Sequence, residues 1–83
     1  MTTYHFDLVM DRPTTGEEDE RLFDRFAGRV SPAVTNGVPL LYVHLDAPSM
    51  EKAILRALHE VRRLGLSVRR IELNPDLVPA DAA

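Results

Sequence analysis

VSPAVTNGVPLLYVHLD, residues 30–46, is the stretch that predicts how the chain folds. Residues 30–35 include Pro32, which indicates a strand at a sheet edge, where one row of backbone donors needs no partner. Asn36-Gly37 predicts a two-residue type I′ turn, because both central residues of that turn need positive φ. Residues 38–46 then alternate in polarity as a strand does, so the stretch predicts a β-hairpin.

A helix is predicted before the hairpin. Thr14 or Thr15 can cap it, and Glu17 or Glu18 three residues later can complete a capping box. Acidic residues crowd its first turn and arginines follow them, as the helix dipole favours, and Gly28 is a natural stop. The acidic run is therefore interpreted as a helix start, with an acidic docking surface as the weaker alternative.

A second helix is predicted after the hairpin. Ser49 caps it, and Gly65 ends it at about Leu64. Its apolar residues recur three and four positions apart, which gives one face for a core. They are Met50, Ile54, Ala57, Leu58, Val61 and Leu64.

Two further strands are predicted, at residues 3–10 before the first helix and at residues 66–73 after the second. Which side chains of residues 66–73 point toward the core is left open. The order β-α-β-β-α-β with right-handed crossovers predicts a ferredoxin-like α+β fold. Its four-stranded antiparallel sheet has the order 4-1-3-2 and carries both helices on one face. Residues 1–75 are predicted to form this single domain, and residues 76–83 a flexible C-terminal tail or the start of a linker.

The inward faces of these elements predict the core. Its members are Tyr4, Phe6, Leu8, Phe23, Phe26, Leu41, Val43, Leu45, Ile54, Leu58 and Val61. A domain this short buries only about 60% of the surface that its unfolded chain exposes, so the core is thin. A thin core without a disulfide or thiolate metal site favours pairing with a second copy.

Composition excludes several classes of protein. The chain has no cysteine, which rules out disulfides, thiolate metal sites and a cysteine nucleophile. Its net charge of −3 gives no reason to expect direct contact with nucleic acid. No apolar run approaches the roughly 18 residues of a membrane span, and the first residues lack the regions of a signal peptide, so a cytoplasmic location is predicted. The glycines are isolated, so there is no phosphate loop, and no cofactor is predicted.

The predicted topology places the first and third strands side by side, so that their outward residues share one open face. The polar residues expected there are His5, Asp7, His44 and Asp46. Imidazole with carboxylate can bind a transition ion or run acid–base chemistry near neutral pH, which makes these four the candidate ligand or metal site. The alternative is that they are the solvated side of an antiparallel sheet, and no catalytic residue is assigned.

The same face carries an apolar group that predicts a homodimer. Its members are Val9, Leu40, Tyr42 and, from the last strand, Val68. Several adjoining apolar residues on a flat face form a patch that monomers usually avoid. Tyr42 is the predicted anchor, and extension of the sheet through an edge is the alternative interface.

Four stretches of the chain are YHFDLVMDRP (4–13), NGVPL (36–40), APSMEKAI (47–54) and ELNPDLV (72–78). They resemble the N-terminal α/β domain of a group of small, uncharacterised actinobacterial helix-turn-helix proteins. In those relatives the segment that resembles residues 76–78 leads into a DNA-reading helix pair. Because the sequence ends at Ala83, we expect an isolated domain or a stand-alone relative, and assign no DNA-contacting residue.

Two functions are therefore predicted. The first, which the resemblance implies, is a non-enzymatic interaction or dimerisation module of, or derived from, a bacterial DNA-binding regulator. The alternative is a small-molecule or metal-binding domain that uses His5, His44 and Asp46 on the open face.

Overall fold

Four strands and two helices follow one another in the order β-α-β-β-α-β, as predicted. The computed structural model of the protein describes residues 1–73. The elements are β1 (Thr2–Met10), α1 (Gly16–Phe26), β2 (Val30–Thr35), β3 (Val38–Ala47), α2 (Met50–Arg63) and β4 (Val68–Glu72). The predicted tail at residues 76–83 lies outside the described residues. Within the described part, neither helix is long and apolar enough to cross a membrane.

The strands form one sheet in the order β2-β3-β1-β4, with every neighbouring pair antiparallel. Counted from the opposite edge the same order reads 4-1-3-2. The architecture is therefore α+β with an open antiparallel sheet, and β1 and β3 occupy its centre. β2, which contains Pro32, is an edge strand, as the proline indicates.

Local signals in the sequence place the element boundaries. Thr15 caps α1 and forms the predicted capping box with Glu18. Ser49 caps α2, where its side chain accepts a hydrogen bond from the backbone N–H of Lys52. Asn36 and Gly37 both have positive φ, at 53° and 78°, as a type I′ turn requires. These boundaries need no tertiary contact to explain them.

One apolar cluster lies between the sheet and the helices. β1 contributes alternate residues to it, and α2 approaches the sheet through Ala53, Ala57 and Val61, all fully buried. Leu22 and Phe26 of α1 join the same cluster, so both helices cover one face of the sheet. The other face carries no helix and is called the open face below.

The prediction that Phe23 is buried is wrong, because 62% of this residue is exposed. Leu22 and Phe26 lie four positions apart on the side of α1 that faces the sheet, whereas Phe23 is turned about a quarter of a circle away from Leu22. Its ring lies beside Gly28 instead. The predicted core members Tyr4, Ile54 and Leu58 are half-buried at the margin of the cluster.

Candidate functional site

Cross-strand pairing arranges the open face into rows that run across the sheet. The apolar row is Ala33–Leu40–Val9–Arg70, from β2 to β4. The hydroxyl–carboxylate row is Ser31–Tyr42–Asp7–Glu72. The histidine row is the pair His44–His5 on the two central strands, and beyond it Asp46 pairs with Thr3. The four predicted ligand residues thus share the open face, as the alternation of the strands requires.

His5 and His44 are direct partners across β1 and β3. Their ring centroids lie 5.9 Å apart and the ring planes meet at 24°, so the imidazoles are stacked. His5 is exposed and His44 is half-buried. The sequence predicted this approach from the topology, and the register makes it a direct contact at the centre of the sheet.

Asp46 is turned toward other partners. The hydroxyl of Thr3 donates a hydrogen bond to it, and Arg29 Nη2 lies 3.2 Å from its Oδ1. The Thr3 hydroxyl, with the Arg29 guanidinium, lowers the pKa of the Asp46 carboxyl. The partners of Asp46 are therefore groups outside the histidine pair.

Sequence reasoning missed Arg29. Its Nε donates to the carbonyl of His44 at 3.0 Å, and its own carbonyl accepts from the N–H of His44 at 3.1 Å. The side chain thus covers the edge of β3 just beyond the end of β2. Counting back from the Asn36-Gly37 turn places Arg29 opposite His44, so hairpin register was the signal that could have found it.

Asp7 belongs to the hydroxyl–carboxylate row, between Tyr42 and Glu72. Partial burial and the neighbouring charge of Glu72 raise the pKa of its carboxyl. Arg70 Nε lies 2.8 Å from Glu72 Oε1 and balances that second carboxylate. Among residues 1–73 no group of three or more His, Asp or Glu side chains is placed to hold a metal ion. One copy therefore offers a transition ion two imidazoles.

The predicted interface residues divide between the two faces. Leu40 is half-buried and Tyr42 is 38% exposed on the open face, where the Tyr42 hydroxyl lies 3.0 Å from that of Thr35. Val9 is only 3% exposed, because Leu40 and Arg70 flank it in the apolar row.

The placement of Val68 corrects the sequence prediction. A register irregularity between Val9 and Met10 pairs Val68 with Met10, and Val68 packs against the core on the helix side. Val68 therefore does not belong to the open-face patch. An irregularity in pairing leaves no mark in the alternation of a single strand, which explains why the inward phase of β4 could not be read from the sequence.

Comparison of the chain with protein-family models, with curated proteins and with solved structures found no match. The geometry of the open face is therefore the basis for a function.

Proposed function

We propose that this domain is a non-enzymatic self-association module of ferredoxin-like topology, in which the open face binds the open face of a second copy. The observation that carries the proposal is that the rows of this face are self-complementary. A two-fold axis parallel to the strands, between β1 and β3, sets β1 of one copy over β3 of the other and β4 over β2. Each row then faces itself in reverse, which is the condition for an isologous interface.

The apolar row supplies the hydrophobic contact. Reversed on itself, it sets Leu40 of one copy over Val9 of the other, and because Val9 is already covered by its own neighbours, Leu40 supplies the apolar surface that the contact buries. Leu40 is half-buried in one copy and would become fully buried between two. At the ends of the row the small side chain of Ala33 in one copy faces the long side chain of Arg70 in the other, so the two sheets fit each other in size at these positions.

The hydroxyl–carboxylate row supplies matched polar contacts. Reversed on itself, it sets the hydroxyls of Tyr42 and Ser31 against the carboxylates of Asp7 and Glu72. Hydroxyl donors thereby face charged acceptors twice over in a symmetric pair, and hydrogen bonds to a carboxylate are among the stronger ones. Tyr42 is the anchor because it offers a large rigid ring with a polar tip.

The sequence resemblance supports a narrower proposal about biology: the module joins two copies of a bacterial regulator in the cytoplasm. Two-fold symmetry is what helix-turn-helix proteins need in order to read paired half-sites on DNA. Sequencing the gene downstream of the codon for Ala83 tests this directly. We expect an open frame that encodes a helix-turn-helix, and a stop codon there would contradict the regulator proposal while leaving self-association intact.

The alternative function, a small-molecule or metal site within one copy, has less support. Its third predicted ligand, Asp46, is engaged by Thr3 and Arg29 rather than by the histidines. Two imidazoles alone make an incomplete coordination set for a resident ion.

Sedimentation of the untagged chain over a range of micromolar concentrations tests the proposed function. We expect the parent to sediment as a dimer of the 9.3 kDa chain and Tyr42→Glu as a monomer, because the glutamate would face the carboxylate of Asp7 in the second copy and lie beside Asp7 of its own. Leu55→Glu is the matched control, since Leu55 is 57% exposed on α2, away from the open face. Circular dichroism checks that both variants are folded.

Two results would contradict the interface. A parent that stays a monomer both in EDTA and in buffer with a divalent transition metal would refute self-association. A dimer that Tyr42→Glu leaves intact and Leu55→Glu disrupts would place the contact on the helix side.

A further inference from the structure

We infer that a divalent transition-metal ion, with Zn²⁺ as the best candidate, bridges the two copies on the two-fold axis and is bound by His5 and His44 of each copy. This inference rests on the proposed face-to-face dimer and names the ligand of its central row. It also accounts for an incomplete site: a single copy presents a histidine pair, and a second copy supplies the two ligands that are missing.

The register places the four imidazoles around one point. His5 and His44 pair directly across β1 and β3, and the proposed axis runs between these two strands. The axis therefore passes through the middle of the histidine row and brings His44 of the second copy over His5 of the first. No other row of the face presents a metal-ligating side chain on both central strands.

The separation of the rings suits a shared ion. With a Zn–N distance of about 2.0–2.1 Å, two imidazoles on one tetrahedral ion have ring centroids roughly 5 Å apart. The observed separation is 5.9 Å, within about 1 Å of that value, and the stacked rings must turn so that one nitrogen of each points at the ion. A pair of histidines more than a few ångströms farther apart would require the backbone to move.

The distance between packed sheets fits the same ion. Sheets stack face to face about 10 Å apart, so the midplane lies about 5 Å from each, within reach of an imidazole on a strand. The ion would then sit inside the interface, between the hydroxyl–carboxylate row on one side and the Asp46–Thr3 pair on the other.

The charges around the histidine row favour a cation. Four neutral imidazoles leave the double charge of the ion uncompensated, and the nearest carboxylates on the open face are Asp7 and Asp46, each two positions from a histidine along its strand. Arg29 neutralises Asp46, so Asp7 of each copy is the main compensating group. Imidazole ligands select Zn²⁺, Cu²⁺ or Ni²⁺ over Mg²⁺ and Ca²⁺, which prefer oxygen.

Sedimentation and titration calorimetry of untagged, EDTA-stripped protein test the inference with Zn²⁺ as the probe and Mg²⁺ as the control ion. We expect one Zn²⁺ per two chains, at least a tenfold tighter dimer with Zn²⁺, and a higher melting temperature by mass action. Mg²⁺ should change none of these. Co²⁺ in place of Zn²⁺ should show the visible absorption of a tetrahedral site.

Three variants assign the ligands. His5→Ala and His44→Ala should each abolish the effect of Zn²⁺ on association. His59→Ala should keep it, because His59 is exposed on α2, away from the open face. His5 is exposed on the sheet surface, so the His5 variant remains informative even where the His44 variant folds poorly.

The outcomes separate this inference from the proposed function. A dimer that forms equally well in EDTA and in Zn²⁺ would overturn the metal bridge and keep the self-association module. One Zn²⁺ bound per chain without association would overturn the bridge in favour of a single-chain site. A chain that stays monomeric with and without Zn²⁺ would overturn both.

Discussion

Phe26 and Phe23 lie on the same helix and provide a matched test of how the core is assembled. Phe26 is 3% exposed in the apolar cluster, whereas Phe23 is 62% exposed beside Gly28. Truncating a fully buried Phe to Ala costs about 3–5 kcal/mol, from lost burial and from the cavity left behind. At Phe23 little more than a third of the side chain is buried, so the same truncation loses only about 1 kcal/mol of burial free energy. The better helix propensity of Ala offsets part of that loss.

Urea denaturation followed by circular dichroism, with all variants at one protein concentration, measures both changes. We expect Phe26→Ala to lower the free energy of unfolding by about 3 kcal/mol or more, which for a domain of this size lowers Tm by at least about 12 °C. Phe23→Ala should stay within about 1 kcal/mol of the parent. Equal losses for the two variants, or a larger loss for Phe23→Ala, would refute the placement of α1 on the sheet.

Three further predictions concern single residues. Hydrogen bonds from Arg12 and from the Thr15 backbone hold the pKa of Glu18 at about 2, below its ordinary 4.5. The stabilisation that these bonds give the folded state is therefore fully present above about pH 4.5 and is lost as pH falls toward 2. In melting experiments over this pH range, Glu18→Gln should be less stable than the parent at pH 7 and equally stable near pH 2. Gly37→Ala should lower the free energy of unfolding, measured with denaturant, by about 1–2 kcal/mol, because a φ of +78° strains any L residue although no atom obstructs the new Cβ. An unchanged free energy of unfolding would contradict the turn geometry. Asp7→Asn should raise the melting temperature of dilute protein at pH 7, because burial and the charge of Glu72 raise the pKa of Asp7 and so make its charged form unfavourable in the folded state. The gain in melting temperature over the parent should fade as pH falls through that raised pKa. A variant that melts at a lower temperature than the parent at pH 7 would contradict this prediction.

Much of the candidate site could be predicted from local pattern. The alternation of β1 and β3 placed His5 and His44 outward, and the antiparallel topology brought the two strands together, so their approach followed from sequence. The partners of Asp46 did not follow. Thr3 and Arg29 are 43 and 17 positions away from it along the chain, and both meet it only because the sheet has closed with a particular register.

The sequence by itself determined where both helices begin and where the hairpin turns, because caps and the Asn36-Gly37 turn act through bonds between near neighbours. Tertiary structure decided which of two adjacent apolar residues is buried, as Leu22 and Phe23 show, since burial depends on where the helix axis lies over the sheet. It also decided that Val68 faces the helices, through an irregularity in pairing with β1, and that Val9 is covered on the open face by its flanking strands. The physical reason is range: hydrogen bonds within a turn are set by neighbouring residues, whereas the burial of a side chain is set by whichever distant segments pack around it.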